Sequence, residues 1–518
     1  MVFRCCLAVV LATAALHTPS RAQCIVHDPG EDGIVEQQVM VRVAGYSTID
    51  EALAIIQQAW PGVVVADAIE SRSWYVLHTS GAPECLIKDY LRDHLVNPTP
   101  DVPDPTRPLT RVELNYRGQT GEGKTGTIYI GTGGGGQAAA LYEAQYAAAE
   151  LGLEQAHARA RGAGVEVAVL DTGADWTHPA LAGRVLPGVS FVPGVDATDD
   201  LGDALDNDGD GQIDEMTGHG TFVSGLILLT APNVLIRPIV VLNSDGVGDQ
   251  FVIAKGIFHA IDCGSAVINL SLGSTWSCRV LEEAVAEAQA HGAVVVAAAG
   301  NLGQQVREYP AARDTIGVAA LDAAGVKADF SNYNSELFIS APGDSEPLEG
   351  GPGGNDPQQS VFGPVPGDEY AAWEGTSFAT AFVSGGAALV LSQHPEWRAD
   401  TAFTEPVCEP FTDAPVSIHE AVKQVLACTV ANVYELNPDY QAGHLLGVGR
   451  IDIGAAVAIG PIPGDVNDNN EVNVVDLVLL LANFGRDGAN RTQGDLDGDG
   501  LVGLSDLSIL LEHFGLGS

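Results

Sequence analysis

Three residues that together could perform nucleophilic catalysis stand in short motifs rich in glycine. Asp171 ends an apolar run and precedes Thr-Gly, His219 lies in Gly-His-Gly-Thr, and Ser377 lies in Gly-Thr-Ser-Phe-Ala. A serine hydroxyl becomes a good nucleophile when a neighbouring imidazole takes its proton. A carboxylate on the other ring nitrogen holds that imidazole in the required tautomer. These residue types predict a triad for acyl transfer, although each motif alone would suit a turn or core residue equally well.

An alternation of strands and helices must bring these residues together. Apolar runs bounded by turns predict buried parallel strands at residues 165–171, 234–242, 266–272 and 292–299. Helical spacing is found at residues 249–262, 278–291 and 376–392. The pattern predicts a doubly wound α/β fold with a parallel sheet for residues 137–460. In such folds the active site forms at the carboxyl ends of the strands.

The order Asp, His, Ser and two further motifs resemble the subtilisin-like serine proteases, the peptidase S8 family. The further motifs are Ser-Leu-Gly at residues 271–273 and Ala-Ala-Ala-Gly-Asn at residues 297–301. The resemblance covers about residues 142–460 and implies a serine endopeptidase. It also implies that the amide of Asn301 and the backbone N–H of Ser377 stabilise the oxyanion. His178 stands at a matching place in many relatives without a catalytic role, so we interpret it as structural.

The same resemblance implies how a substrate would bind. An extended peptide would pair with an edge at residues 245–249 on one side and with residues 271–273 on the other. The small residues 297–300 would line the S1 pocket, which receives the P1 side chain of the substrate, so we expect a large apolar P1 side chain to enter it. The candidate substrate-binding residues are Gly246, Gly248, Ser271, Leu272, Gly273, Ala298 and Gly300.

The chain before residue 137 divides into two parts. Residues 1–22 have the basic start, short apolar run and small residues that are typical of a secretion signal. Residues 23–136 read as a small α+β unit that ends in a glycine-rich linker. By pattern and position this unit resembles the family's propeptide, and a permanent accessory domain is the alternative. We expect the first maturation cut between residues 118 and 136, because glycine-rich exposed chain is easily cut.

The charge of the chain limits its partners. Asp and Glu number 67 and Lys and Arg 24, which gives a net charge of −43. This balance argues against nucleic acid or an anionic membrane as the main partner and favours divalent cations. No stretch reaches the roughly 18 uninterrupted apolar residues of a membrane helix. Together with the secretion signal, this predicts a secreted protein, extracellular or associated with the cell surface, and the resemblance implies proteins or peptides as its substrates.

Residues 461–518 contain two acidic loops that repeat after 30 residues. Oxygen side chains stand at positions 1, 3, 5 and 12 of each loop, and a backbone carbonyl at position 7 completes the spacing that binds calcium. The ligands predicted for Ca²⁺ are Asp465, Asn467, Asn469, Glu471 and Asp476 in the first loop and Asp495, Asp497, Asp499, Leu501 and Asp506 in the second. Aspartate at position 12, one helix after each loop and the duplication resemble a type I dockerin.

The sequence allows two interpretations of what this tail binds. Dockerins bind cohesins through helix residues near positions 10 and 11, which are typically small hydroxyl residues. Here those positions hold Val474, Val475, Leu504 and Ser505. A cohesin-like partner is one interpretation, and a self-contained calcium module or a different surface anchor is the other.

A third acidic loop stands just before His219 and also alternates oxygen ligands. We expect it to hold Ca²⁺, and a solvated acidic loop is the alternative. The predicted ligands are Asp206, Asp208, Asp210 and Asp214.

Six cysteines remain once the secretion signal is removed, and an even number in an exported chain suggests disulfides. Proximity in the sequence favours the pairs Cys263–Cys278 and Cys408–Cys428, while Cys24 and Cys85 remain as another possible pair.

A catalytically inactive scaffold, displayed through the tail, is the main rival to a peptidase. The intact triad and Asn301 argue against it. A lipase-type hydrolase would need its triad in the order Ser, Asp, His, which this chain lacks.

Overall fold

The computed structural model describes residues 33–515, except for residues 101, 126–129, 196–197, 346–358, 400–402, 404–406, 409–410, 412 and 470. The chain divides into two compact units between Asn115 and Tyr116. The predicted secretion signal and Cys24 lie outside the described residues. Within the described part of the chain, no helix is long and apolar enough to cross a membrane.

The first unit is a sheet with two helices. Its elements are β1 (Ile34–Val43), α1 (Ile49–Ala59), β2 (Val64–Ile69), β3 (Trp74–His78), α2 (Glu84–His94) and β4 (Leu109–Gln119), whose last residues belong to the second unit. The strand order is β2-β3-β1-β4. Ile56 of α1 and Leu91 of α2 are buried with Val39 and Leu77 in one core. The α+β character predicted for this part of the chain is therefore present.

The second unit contains a seven-stranded sheet. The strands of this unit are β5 (Ile130–Gly134), β6 (Glu166–Asp171), β7 (Val189–Ser190), β8 (Leu235–Val240), β9 (Val247–Asp249), β10 (Val267–Leu270), β11 (Val294–Ala298), β12 (Ile316–Leu321), β13 (Ile339–Pro342), β14 (Phe362–Val365) and β15 (Glu369–Ala372). Seven of them pair in parallel in the order β13-β12-β11-β10-β6-β8-β7. The predicted parallel α/β sheet is confirmed.

Two long buried helices of the second unit carry the site. Its helices are α3 (Gly121–Thr125), α4 (Gly136–Glu143), α5 (Tyr146–Glu150), α6 (Leu153–His157), α7 (His219–Thr230), α8 (Gln250–Cys263), α9 (Arg279–Ala290), α10 (Thr376–Gln393), α11 (Glu396–Ala399), α12 (Ile418–Cys428), α13 (Ile453–Ala458), α14 (Val474–Ala482) and α15 (Leu504–Glu512). Every residue of α10 is buried, as expected of a helix that is apolar on all sides. Phe222 of α7 packs on Phe378 of α10 with ring centroids 4.4 Å apart.

Much of the segment that we interpreted as a linker is structured. Residues 130–134 form β5, which pairs antiparallel with β15. Gly118 and Gln119 end β4 and pair antiparallel with β9. Glycine in these strands leaves room for close backbone approach, because a Cβ at Gly134 would lie 2.6 Å from the carbonyl oxygen of Asp368.

The tail has a small core within the second unit. Leu480 of α14 and Leu510 of α15 are fully buried there together with Val502. Ala163, which precedes β6, joins the same cluster. The tail helices therefore pack on each other and on the chain that leads into the parallel sheet.

One of the two favoured disulfides forms. Cys408 is bonded to Cys428, which confirms that pair. No disulfide joins Cys263 to Cys278, so that prediction is wrong. Cys263 ends α8, where its Sγ lies 3.4 Å from Nε2 of His259, whereas Cys278 is the N-cap of α9. Nearness in sequence fails as a guide because each cysteine is held at the end of a different helix.

Candidate active site

Asp171 is positioned by an interior strand of the parallel sheet. It is the last residue of β6, which lies between β10 and β8, and it is fully buried. Its Oδ1 accepts a hydrogen bond from the backbone N–H of Thr172 at 2.8 Å and lies 2.7 Å from Nδ1 of His219. The end of the strand therefore holds the carboxylate against the imidazole.

His219 is the first residue of α7. Gly218 before it has φ +91°, a left-handed conformation that glycine adopts without strain. A Cβ at Gly220 after it would collide with the carbonyl oxygen of Gly173. The glycines around His219 therefore allow the chain to turn tightly into the helix. Trp373 lies edge-on to the imidazole, with ring centroids 5.4 Å apart.

Ser377 is the second residue of α10 and is fully buried. Its Oγ lies 2.8 Å from Oε2 of Glu122 and 3.1 Å from the carbonyl oxygen of Ser271. The hydroxyl of Ser271 donates in turn to the carbonyl oxygen of Ser377 at 2.9 Å. Because the first N–H groups of a helix lack helical partners, the start of α10 favours negative charge at this place.

Asn301 lies beside Ser377, three residues after the end of β11. Its Oδ1 accepts hydrogen bonds from the backbone N–H and the Oγ1 of Thr376, at 3.0 and 2.8 Å. Two donors on the oxygen orient the amide, so its Nδ2 faces the site and donates to Oε1 of Glu122 at 3.1 Å. The position suits the oxyanion role that the resemblance implies.

Glu122, which the sequence analysis did not single out, lies between these groups. Besides Ser377 and Asn301, its carboxylate contacts His219, with 3.3 Å between Oε2 and Nε2. In the described structure Ser377 and His219 form no hydrogen bond with each other, since the carboxylate contacts both. A glutamate in a glycine-rich segment matches no catalytic pattern, so sequence reasoning had no signal for it.

The charges of these groups shift their pKa values in opposite directions. Burial alone would lower the pKa of His219, but the carboxylates of Asp171 and Glu122 outweigh it and raise this pKa to about 10. Burial would raise the pKa of Glu122, but contacts with His219 and Ser377 lower it. The arrangement therefore holds a protonated imidazole between two carboxylates.

Asp200 is a second carboxylate that the sequence analysis missed. It is buried, and it accepts hydrogen bonds from Oγ1 of Thr172 at 2.7 Å and from Oγ1 of Thr221 at 2.6 Å. Burial raises its pKa to about 6. Asp200 thus connects the chain after Asp171 to the first turn of α7, the helix that begins at His219.

Residues 117–120 occupy one edge predicted for an extended substrate. The last residues of β4 pair antiparallel with β9, with Gly118 opposite Gly248. The backbone N–H of Thr120 donates to the carbonyl oxygen of Gly246 at 3.0 Å. Gly246 has φ +72°, and a Cβ there would lie 2.7 Å from Oγ1 of Thr120. The chain's own segment therefore binds the edge as a substrate strand would.

The other predicted edge contacts the same segment. Gln119 and Gly273 exchange two backbone hydrogen bonds, of 3.1 and 2.9 Å. Leu272 is buried beside Gly273, and Ala298 ends β11. Gly300 has φ +90° and donates its N–H to Oγ1 of Thr376 at 3.0 Å. Gly273 therefore contacts the chain's own segment, and Gly300 contacts the first residue of α10.

His178 lies in a structural setting. It is 1% exposed, its Nε2 lies 3.0 Å from the carbonyl oxygen of Glu369, and its Nδ1 accepts from the N–H of Ala180 at 3.1 Å. Both ring nitrogens are engaged by the backbone, as suits the interpretation of this histidine as structural.

Three of the four ligands predicted in the loop before His219 lie together. Asp206, Asp208 and Asp210 each place a carboxylate oxygen within 4.8 Å of the others. Asp214 does not belong to this group, and its carboxylate accepts hydrogen bonds from the N–H groups of Asp203 and Ala204.

Asp208 also belongs to a more buried group with Glu215 and Asp245, again within 4.8 Å. Asp245 is fully buried and Glu215 is 9% exposed. In the described structure, neither carboxylate oxygen of Glu215 has a hydrogen-bond partner from another residue. Burial, with Asp245 and Asp208, raises the pKa of Glu215 to about 7. Sequence spacing missed this group because Asp245 comes from the substrate edge.

The second loop of the tail also gathers carboxylates. Asp495, Asp497 and Asp506 each place an oxygen within 4.8 Å of the others. Burial raises the pKa of Asp495 and of Asp506, and Asp506 adds to the effect on Asp495 by repulsion. In the first loop, Oδ1 of Asp476 accepts from the backbone N–H of Val466 at 2.9 Å.

Comparison with known proteins gives consistent matches. A family model described as the subtilase family matches residues 162–444. The chain is 36% identical to thermitase from Thermoactinomyces vulgaris over 250 residues, which are 48% of this chain and 82% of that protein. It is 39% identical to subtilisin BL from Lederbergia lenta over 246 residues, which are 46% of this chain and 79% of that protein.

Among solved structures, the fold is similar to that of fervidolysin from Fervidobacterium pennivorans, described as a keratinolytic enzyme related to subtilisin. The TM-score is 0.58 at 22% identity, and the match covers 83% of this chain and 62% of that one. The family match includes Asp171, His219, Asn301 and Ser377 within its span.

Proposed function

Since this chain belongs to the subtilase family and is a serine-type endopeptidase, we propose that it cleaves peptide bonds through an acyl-enzyme formed on Ser377. Its parallel α/β sheet and its relatives support the enzyme class. One observation carries the residue assignment. The carboxylate of Glu122 lies within hydrogen-bond distance of Ser377 Oγ, His219 Nε2 and Asn301 Nδ2, the three groups that a reacting carboxyl centre must meet.

Each group then has one role in the reaction. With a peptide in place of Glu122, Ser377 Oγ attacks the carbonyl carbon while Nε2 of His219 takes its proton. Asp171 holds Nδ1 and stabilises the imidazolium. Nδ2 of Asn301 and the N–H of Ser377 stabilise the oxyanion. The imidazolium gives its proton to the leaving amine, and a water molecule activated by His219 then hydrolyses the acyl-enzyme.

We further propose that the protein is secreted as a proenzyme, with residues 1–22 as the signal and the first unit as propeptide. The support is the position of residues 117–122. They pair with both substrate edges and place Glu122 on the triad, so the uncut chain blocks its own cleft. Cleavage in residues 118–136 would release this segment.

Calcium is the proposed cofactor of the acidic loops. In the tail, Asp495, Asp497 and Asp506 place carboxylate oxygens within 4.8 Å of one another, and a bound cation would relieve the repulsion among them. Near the active site, the buried and unpartnered carboxylate of Glu215 supports a site formed with Asp208 and Asp245. The dockerin-like character of the tail, and a cohesin-like or surface-anchoring partner for it, stay part of this proposal.

Labelling with a fluorophosphonate probe tests the assignment. The self-processed enzyme should hydrolyse peptides and carry the label on Ser377. The Ser377→Ala variant should lose both properties and keep its fold, because only one oxygen is removed. The Ser384→Ala variant, also in α10, is the matched control and should keep both. Full activity in Ser377→Ala would overturn the triad, and a wild type without activity or label would favour the inactive scaffold.

A further inference from the structure

An exposed tryptophan contacts the segment of the chain that pairs with the substrate edges. The ring of Trp276 is stacked on the ring of Tyr116, with centroids 5.3 Å apart and planes 7° from parallel. Both residues belong to the second unit. Trp276 is 45% exposed even with this contact. Its indole therefore binds one aromatic ring of the segment and still lies at the surface.

The contacts nearer the triad fix the position of Tyr116 along the segment. Gln119 exchanges two backbone hydrogen bonds with Gly273, and a methyl group on Gly121 would lie 2.7 Å from Cγ of Asn301. In the proposed mechanism Asn301 stabilises the oxyanion of the residue whose carbonyl is attacked. Gly121 thus takes the place of P1, the residue before the cleaved bond. Tyr116 stands five residues earlier and takes the place of P6, the sixth residue before that bond.

Contacts with other parts of the second unit hold the backbone of Trp276. Nε2 of Gln250, the first residue of α8, donates to the carbonyl oxygen of Trp276 at 2.5 Å. The N–H of Trp276 donates to Oγ of Ser274 at 3.3 Å. Ser274 in turn exchanges two backbone hydrogen bonds with Tyr309, of 3.0 and 2.7 Å. Since none of these contacts involves Tyr116, we expect Trp276 to keep its place when the segment leaves.

An indole in this place favours an aromatic partner. Tyr116 is the one aromatic residue among residues 116–122, and it is the residue that meets Trp276. A stacked pair of rings gives affinity beyond the apolar area that it removes from water. Because the backbone of Trp276 is already held, little conformational freedom is lost when a ring binds to it.

We propose that Trp276 forms a binding site for the P6 side chain of the substrate and gives this peptidase a preference for an aromatic residue there. The inference rests on the proposed function, because residues 116–122 mark the path of a substrate only if the cleft is a peptidase cleft. The contact lies five residues from the reacting carbonyl, so it is the same in the bound substrate and in the transition state. Such a contact lowers KM and leaves kcat unchanged.

The test uses the self-processed enzyme and two peptides that differ only at P6, Tyr against Ala. The wild type should show a kcat/KM about tenfold higher on the Tyr peptide, the order expected for one stacked aromatic pair, and the difference should lie in KM. The Trp276→Ala variant should bring the ratio of the two kcat/KM values to about one, chiefly by raising KM on the Tyr peptide. Trp276→Phe keeps an aromatic ring and should keep most of the preference.

Trp176→Ala is the matched control, because it removes another tryptophan of the second unit, which is 47% exposed. The ratio of the two kcat/KM values should not change in it. Equal kcat/KM on both peptides in the wild type, or a preference that survives in Trp276→Ala, would overturn the inference and leave the peptidase standing. A preference that lies in kcat alone would also contradict it. A wild type that cleaves neither peptide would contradict the proposed function itself, and the inference would fall with it.

Discussion

Glu122 contacts three of the residues to which the proposed mechanism gives a role. Its carboxylate touches the nucleophile, the base and the oxyanion donor at once. To accept the proton of Ser377, Nε2 of His219 must be unprotonated, yet here both ring nitrogens are paired with carboxylates. The consequence is an imidazole that cannot accept the proton of Ser377 until residue 122 leaves the site.

The Glu122→Gln substitution should therefore unmask the base in the uncut chain. Protonated His219 stabilises the closed arrangement fully below pH 6.5, and this contribution declines as the pH rises and is lost above the raised pKa of about 10. Without the charge of Glu122 the pKa of His219 falls, so fluorophosphonate labelling of Ser377 should become faster and reach half-maximum at a lower pH. Mass spectrometry of the intact chain follows the labelling.

Glu154→Gln, an exposed residue of α6, is the control and should label like the wild type. Equal rates and equal pH profiles for Glu122→Gln and the wild type would show that Glu122 does not control the base.

Asn301→Ala should lower kcat of the processed enzyme far more than it raises KM. In the proposed mechanism the amide donates to the oxyanion, which exists only along the reaction path, so its loss should affect the transition state preferentially. We expect about a 10²- to 10³-fold loss, the figure known for such a donor in subtilisin itself. Steady-state kinetics on one peptide measure both constants. A change confined to KM would assign Asn301 to substrate binding.

At the scale of elements, the loop before α7 and the substrate edge are joined by acidic residues. Glu215 directly precedes Met216, whose N–H donates to the carbonyl oxygen of Ser244, next to Asp245. The N–H of His219 donates to the carbonyl oxygen of Met216 at 3.0 Å. A cation held by Asp208, Glu215 and Asp245 would therefore stiffen the start of α7 and the edge β9 together.

The Glu215→Gln substitution should reverse its effect on stability when calcium is added. In chelator at pH 8 the substitution removes a buried and unpartnered charge, so it should raise the free energy of unfolding by about 1–3 kcal/mol and raise the thermal midpoint with it. With calcium the wild type gains binding free energy that the variant lacks, so the wild type should then have the higher thermal midpoint. Thermal unfolding of the full chain in a Ser377→Ala background, which prevents self-digestion, measures this.

Asp206→Asn is the control, since Asp206 is exposed and lies outside the group with Glu215. The contribution of the tail is the same in all these chains. Loss of the calcium response in Asp206→Asn but not in Glu215→Gln would place the cation in the loop alone.

At the scale of the whole molecule, the tail packs within the second unit but contributes no residue to the proposed triad. Nδ2 of Asn233 donates to Oε2 of Glu512 at 3.1 Å, and Ala163 joins the tail core. The residues proposed as the triad lie on β6, α7 and α10, none of which belongs to the tail. We therefore expect calcium in the tail to govern its order and not the reaction.

The double variant Asp495→Asn, Asp506→Asn should lose most of the calcium-dependent protection of α14 and α15 and keep peptidase activity within about twofold of the wild type. Calcium replaces the repulsion among the loop carboxylates by attraction to the ion. Without calcium the loops should open, and α14 and α15 should become less ordered. Hydrogen exchange of the full chain with calcium and with chelator measures the protection. The control is Asp487→Asn, an exposed residue of the tail. Equal protection with and without calcium in the wild type would contradict the metal sites of the tail.

The sequence alone determined the features that local chemistry encodes. Runs of continuous apolar residues predicted the parallel sheet, and the glycine-rich motifs around His219 and Ser377 predicted the triad residues, because such patterns are formed by neighbours along the chain. Cys408–Cys428 was predictable for the same reason, whereas Cys263 and Cys278 show the limit of that reasoning. The calcium ligands of the tail loops were read from spacing in the same way and remain predictions.

Only the tertiary structure decided which distant residues meet these motifs. Glu122 lies 97 residues from His219 and 255 from Ser377 in the chain, and no spacing rule connects them. Asp200 was missed for the same reason, because it is a single acidic residue without a motif. Their roles come from burial and from the partners that the fold brings to them, and a carboxylate's chemistry depends on that environment rather than on its sequence neighbours.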